Sequence, residues 1–226
     1  TPAASVALVE AGIIKGELFN QQGTGHARTL MGMVDYLLAM TETNLQDLKV
    51  VGVTIGPGSF TGLRIGLATA QGLAMALSLP LIGISTLEVL AAPLAMVTAL
   101  VIPVLNARKG EVYTAIYSGG MDGAQLIGNE MAITPERLTV KIRAAMEVTG
   151  HQMVIITGDG FEPYSEIWES QLGDCLLPVP SYHSRPRAAV LGCLAEGQWQ
   201  QGKAISPLEI KPSYLRLSEA ESRRQL

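Results

Sequence analysis

The stretch Gly56-Pro57-Gly58-Ser59-Phe60-Thr61-Gly62-Leu63-Arg64-Ile65-Gly66 constrains the fold more than any other part of the chain. Residues 48–55, just before it, are rich in β-branched side chains and predict a buried parallel strand. Residues 61–79, just after it, read as a helix that Pro80 stops. Backbone N–H groups at such a helix start can receive a phosphate, so Gly56, Gly58 and Ser59 are candidate nucleotide-facing residues. The competing reading is a tight turn that lets the helix dock closely. The loop is not a Walker A motif, because no Gly-Lys-Ser/Thr ending supplies a lysine for a β/γ-phosphate. Its glycine spacing does not fit the dinucleotide GxGxxG motif either.

The flanking sequence continues the alternation of strands and helices. Residues 5–10 and 13–20 predict a hairpin turning at Gly12. Residues 26–40 carry Leu30, Met33, Val34, Leu37 and Leu38 at helical spacing. Residues 81–84 predict a short strand, with Ser85 and Thr86 as caps for a helix from 87 towards 95. Strands are expected at 99–105 and 111–117 around the turn Asn106-Ala107-Arg108-Lys109-Gly110. Thr134 and Pro135 open a helix to 149 as N-cap and first-turn residue. Residues 153–157 predict a strand ending in Gly158-Asp159-Gly160, a second candidate nucleotide-facing group. A short helix over 163–170 and a long one over 187–200 follow. The similar order of the two halves predicts an α/β protein of two lobes, 1–98 and 99–226.

The bulk properties narrow the class. The 226 residues are 48% apolar and 16% charged, enough to build a core and unlike a disordered chain. A net charge of −4 without long runs of one sign argues against a strongly basic nucleic-acid surface. Any nucleic-acid contact is therefore expected to be indirect, through a partner that supplies most of the phosphate contacts. Cys175 and Cys193 have no CxxC spacing and no neighbouring histidine, which predicts no zinc site and fits a reducing cytoplasm. The most apolar run, 94–105, is broken by Thr98 and Pro103 and is too short to cross a bilayer. The Thr1-Pro2 opening leads straight into a strand and is read as lacking upstream residues.

Within the helix after the glycine-rich loop, Gly62, Gly66, Ala70 and Ala74 recur every fourth position and form one ridge of small residues. Leu63, Leu67 and Leu73 flank it. Such a ridge can pack on the chain's own sheet, or it can face a helix of another subunit. A catalytic constellation is hard to assemble. His26, His151 and His183 are too far apart for a helical metal pair. Ser59 lacks the GxSxG elbow and reads as a helix cap. Asp159 either faces a nucleotide or serves its turn. No catalytic residue, metal site or cofactor is expected.

The glycine-rich block, its continuation Ala70-Gln71-Gly72-Leu73-Ala74 and the stretch Pro80-Leu81-Ile82-Gly83-Ile84-Ser85-Thr86-Leu87 resemble the signature of the TsaB (YeaZ) proteins. Asn106-Ala107-Arg108-Lys109-Gly110-Glu111-Val112-Tyr113 resembles that family's Asp-Ala-Arg-x-Gly-Glu-Val-Tyr segment, with Asn106 in place of Asp. Gly158-Asp159-Gly160 and Pro212-Ser213-Tyr214-Leu215-Arg216 match a second-lobe turn and the tail. The resemblance implies the two-lobed fold of the actin-like, sugar kinase and Hsp70 ATPase (ASKHA) superfamily. The family's opening strand ends in Asp-Thr just ahead of the equivalent of residues 1–8; that Asp is absent, so the first strand is expected to be truncated.

The resemblance also implies a role in making threonylcarbamoyladenosine in tRNA. TsaB-like proteins pair with a catalytic TsaD-like subunit and work with a TsaE-like ATPase, or self-associate as a homodimer, through first-lobe helices. Carried onto this chain, the partner-binding candidates are His26, Leu30, Val34, Gly62, Leu63, Gly66, Leu67, Ala70, Leu73 and Ala74. The His-x-x-x-His metal pair of the catalytic relatives falls on Thr86 and Leu90, neither of which replaces an imidazole ligand. The expected function is that of a non-catalytic subunit. Two alternatives stand beside it: a small-molecule kinase or metallopeptidase-like enzyme of the same fold, and a homodimeric scaffold for another partner.

Overall fold

The computed structural model describes residues 3–21, 26–121 and 123–215, with the backbone alone described at 26–28. Its elements are β1 (Ala4–Glu10), β2 (Ile13–Asn20), α1 (His26–Met40), β3 (Val51–Gly56), α2 (Phe60–Leu77), β4 (Leu81–Ser85), α3 (Thr86–Ala91), β5 (Leu100–Arg108), β6 (Glu111–Ser118), β7 (Gln125–Ile133), α4 (Pro135–Thr149), β8 (Val154–Thr157), α5 (Ser165–Leu172), β9 (Leu176–Leu177) and α6 (Ala188–Gln200). Short 3₁₀ turns join several of them. Two compact units result: Thr1–Val89 with Pro186–Ser213, and Leu90–Arg185 with Tyr214–Leu226.

In the first unit β1 and β2 form the expected antiparallel hairpin, and β3 pairs with β4 in parallel. The pleat sorts β3 by face. Val53 joins Leu67, Ala70, Ala74, Leu81 and Ile210 in one core. At Gly52, a Cβ would come within 2.8 Å of the Ala195 Cβ, so only glycine admits α6 this closely. Helix α6 packs on all four strands, while α1 lies on β1 and β2 and against α2. A lobe boundary at residue 98 would leave α6 in the second lobe; α6 instead packs with the N-terminal strands. Its apolar side, Val190, Leu191, Leu194 and Ala195, meets Val50, Ile82, Ile84 and Val89. Chain order carries no signal for such a return.

Polar contacts hold the start of α6 on the hairpin. The Glu17 carboxylate accepts from the Arg187 Nη2 at 2.6 Å, the Arg187 Nε at 3.2 Å, the Ala189 N–H at 3.1 Å and the Ser5 hydroxyl at 3.2 Å. Burial pushes the Glu17 carboxyl up. The hydrogen bonds and charge of Arg187, with the bonds from Ala189 and Ser5, outweigh it and hold the group below the usual carboxylate value. Its stabilising effect is therefore complete above the usual carboxylate range and is lost as pH falls through the lowered folded value. Glu17→Gln is expected to cost about 1–3 kcal/mol at neutral pH. In urea titrations at stepped pH, that gap should close on acidification; a gap independent of pH would show that the charge is irrelevant.

The second unit is a five-stranded sheet in the order β7-β6-β5-β8-β9. The pairs β5–β6 and β6–β7 are antiparallel, while β5–β8 and β8–β9 are parallel. Leu100, Ile102, Val104, Val112, Leu138, Ile142, Val154 and Trp168 form its core. Trp168 is fully buried and donates its Nε1–H to the Phe161 carbonyl at 3.1 Å.

Several local expectations change. β7 was not foreseen, because Gly128, Asn129 and Glu130 lower its strand propensity. β9 is only two residues long. Thr134 occupies the N-cap of α4 with an extended backbone but makes no side-chain cap bond. α2 ends earlier than Pro80 would require, at a left-handed Ser78. α3 stops at Ala91, where Pro93 enters a 3₁₀ turn. Among the described residues, no helix is long and apolar enough to cross a membrane.

Candidate functional site

The two glycine-rich turns answer to their own backbones. Gly56 has φ +119, and a Cβ there would lie 2.6 Å from the Ser213 carbonyl oxygen. The Ser213 N–H donates to the Ile55 carbonyl at 2.7 Å, so the returning C-terminal segment is stitched over this turn. Gly58 faces the Leu63 side chain, and Ser59 caps α2 by accepting from the Gly62 N–H at 3.5 Å. This gives the tight-turn reading a physical cause at Gly56, and Ser59 the capping role expected of it.

The second turn is bound to the end of β5. Gly158 has φ +117, and a Cβ there would overlap the Val104 carbonyl oxygen. The Gly160 N–H donates to that same carbonyl at 3.0 Å. One oxygen of Asp159 accepts from the Asn106 N–H at 3.0 Å, and the other lies 3.8 Å from the Arg185 guanidinium. The Asn106 side chain is itself engaged, accepting from the Arg108 N–H at 2.8 Å. Asp159 thus ties two strand ends together.

On α2 the structure separates the residues that the ridge had grouped. Leu63, Leu67, Ala70 and Ala74 are buried, the last three in the unit's own core. Gly62, Gly66 and Leu73 are half-buried, with open space where a Gly66 Cβ would go. On α1, Leu30 and Val34 are half-buried, and the side chain of His26 lies outside the described residues. Of the ridge, Ala70 and Ala74 pack into the unit's own core, while Gly62 and Gly66 stay half-buried.

The outward side of α2 is a different stripe, which sequence reasoning missed: Thr61, Arg64, Ala68, Gly72, Met75 and Ala76. Arg64 is the only charged residue in the helix's 18, and its guanidinium sits 3.8 Å from the centre of the Phe60 ring. The neighbouring helix exposes Met31, Gly32, Tyr36 and Met40. The available signal was that α2 is apolar all round, a pattern that calls for cover on both sides.

The remaining candidates for chemistry are dispersed. Thr86 and Leu90 are both buried, at 5% and 1% exposure. His151 Nε2 lies 2.7 Å from the Ser118 hydroxyl, and the His183 ring packs against Tyr182. Among the described residues, no three His, Cys, Asp or Glu side chains cluster closely enough to hold a metal ion.

The model of the TsaD family, described as tRNA N6-adenosine threonylcarbamoyltransferase, matches residues 18–223. The TsaB protein of Escherichia coli K12, a tRNA threonylcarbamoyladenosine biosynthesis protein, is 31% identical over 96% of this chain and 91% of its own length. Its Bacillus subtilis 168 namesake is 28% identical over the same shares. The solved structure of YeaZ from Pseudomonas aeruginosa superposes with a TM-score of 0.79 at 29% identity, covering 95% of each chain. Another structure from that organism, described as an uncharacterized protein with similarity to peptidase YEAZ, gives the same TM-score at 30% identity over 95% of each chain. The fold is thus the α/β architecture of the actin-like, sugar kinase and Hsp70 ATPase superfamily. Within it, the chain belongs to the TsaB (YeaZ) family, a relative of the TsaD transferases.

Proposed function

We propose that this chain is the non-catalytic subunit that pairs with a TsaD-type transferase, together with a TsaE-type ATPase, for threonylcarbamoylation of adenosine next to the anticodon of tRNA. The observation that carries the reading is the outward face of α2, apolar or small at most positions with Arg64 as its one charge. Small residues there let a partner helix come close, and an apolar face left in water favours such cover. Alone, the chain covers this face with a second copy; with the transferase present, the face is exchanged for the heterologous contact. The buried, non-ligating Thr86 and Leu90 support assigning the chemistry to the partner. tRNA is then held mainly by the partner, in keeping with this chain's net charge of −4.

Size-exclusion chromatography with light scattering tests this, on the chain alone and mixed with the TsaD-type protein of the same organism. The expected result is a homodimer that converts to a one-to-one heterodimer, with threonylcarbamoyl transfer only when the partner and the ATPase are both present. Transfer by the chain without the TsaD-type subunit would overturn the reading.

A further inference from the structure

We propose that Met75 is an oxidation-sensitive position of this pairing surface, at which conversion of the thioether to the sulfoxide weakens docking; the inference rests on the pairing function above. Met75 is 56% exposed. It stands three positions after Gly72 and seven after Ala68, on the outward stripe of α2. It also forms one wall of a groove of about 560 Å³, with Ser78, Leu79, Pro80, Ile205 and Leu208 among the lining. Among the described residues, no charged side chain lines that groove. A helix docked along the stripe buries Met75 at the point where the stripe meets the groove. The flexible thioether suits that place, because it fits irregular apolar surfaces without a hydrogen-bond demand.

The chemistry is a two-electron oxygen transfer from a peroxide. A sulfur lone pair attacks one peroxide oxygen and the O–O bond breaks. The attacked oxygen stays on sulfur and gives up its proton, and the departing hydroxide takes a proton and leaves as water. Sulfur is oxidised and the peroxide is reduced. The product is a polar, chiral side chain whose oxygen loses its water when the face is covered. Pairing is therefore expected to weaken by about tenfold to a hundredfold. A methionine sulfoxide reductase would restore it.

The test uses hydrogen peroxide on the full chain, alone and in complex with the TsaD-type subunit, followed by peptide mass mapping and a binding titration. Met121, 96% exposed and in the other unit, is the internal reference for an accessible thioether. In the free chain Met75 and Met121 should both gain oxygen; in the complex Met75 should be protected and Met121 not. Oxidised wild type should bind more weakly, whereas oxidised Met75→Leu should bind like its unoxidised form. Full pairing by wild type oxidised at Met75, or equal loss in Met75→Leu, would overturn the proposal and leave the pairing reading intact. Failure of the untreated chain to pair would overturn that reading and the inference with it.

Discussion

Gly72→Arg is expected to leave a folded chain that no longer pairs. Gly72 is exposed in the middle of α2, and a Cβ there meets no atom within 4 Å. Within the chain the change is therefore tolerated, and leaving glycine in a helix interior gains up to about 1 kcal/mol. Between chains it places a charged, long side chain where a partner helix has to approach. Burying that charge without a counter-charge costs several kcal/mol, so the affinity should fall by roughly a hundredfold or more. Light scattering should show a monomer, and the thermal midpoint should match or exceed that of wild type. Retained pairing at unchanged affinity would remove the outward face of α2 from the interface. Gly66→Leu probes the edge of the same surface, since Gly66 also has open space around it.

Gly158→Ala is expected to be the most damaging single-methyl change in the second unit. Two penalties coincide there: a φ of +117, which L side chains rarely adopt, and overlap of the new Cβ with the Val104 carbonyl oxygen. The backbone around the turn has to shift. That strains the bond from the Gly160 N–H to Val104 and the clasp of Asp159 on the Asn106 N–H. The cost should be roughly 3 kcal/mol or more. In a chain of this size that lowers the thermal midpoint by roughly 6–12 °C. Gly150→Ala is the matched control, because Gly150 has φ +77 with nothing within 4 Å of a Cβ. It should cost only about 1–2 kcal/mol. Equal losses at the two positions would mean that backbone conformation alone, and not the Val104 contact, requires Gly158.

Much of the fold was legible because local physics decides it. The hairpin expected over residues 5–20, the helix over 26–40 and the helix from Thr134-Pro135 to 149 all formed. In each, the side-chain repeat and the turn residues point the same way. β7 was less legible, because a strand with Gly128 and Asn129 depends on β6 for its hydrogen bonds. The surface of α2 was legible only in part. Its spacing of small residues identified a ridge, but a helix apolar on every side does not declare which side turns inward.

The sequence by itself determined the class of the protein. Alternating elements around a glycine-rich strand-to-helix turn specify an α/β chain, and the motifs along its length identify its family. Those features are encoded in neighbouring residues, so they can be read without knowing what folds against what. Only the tertiary structure decided that α6 returns to the N-terminal strands, that Leu67, Ala70 and Ala74 are spent on the chain's own core, and that Gly72 and Met75 are left facing water. Each of these is a choice between surfaces that are both largely apolar. It is settled by which distant segment supplies the better-packed complement, as when Gly52 admits Ala195.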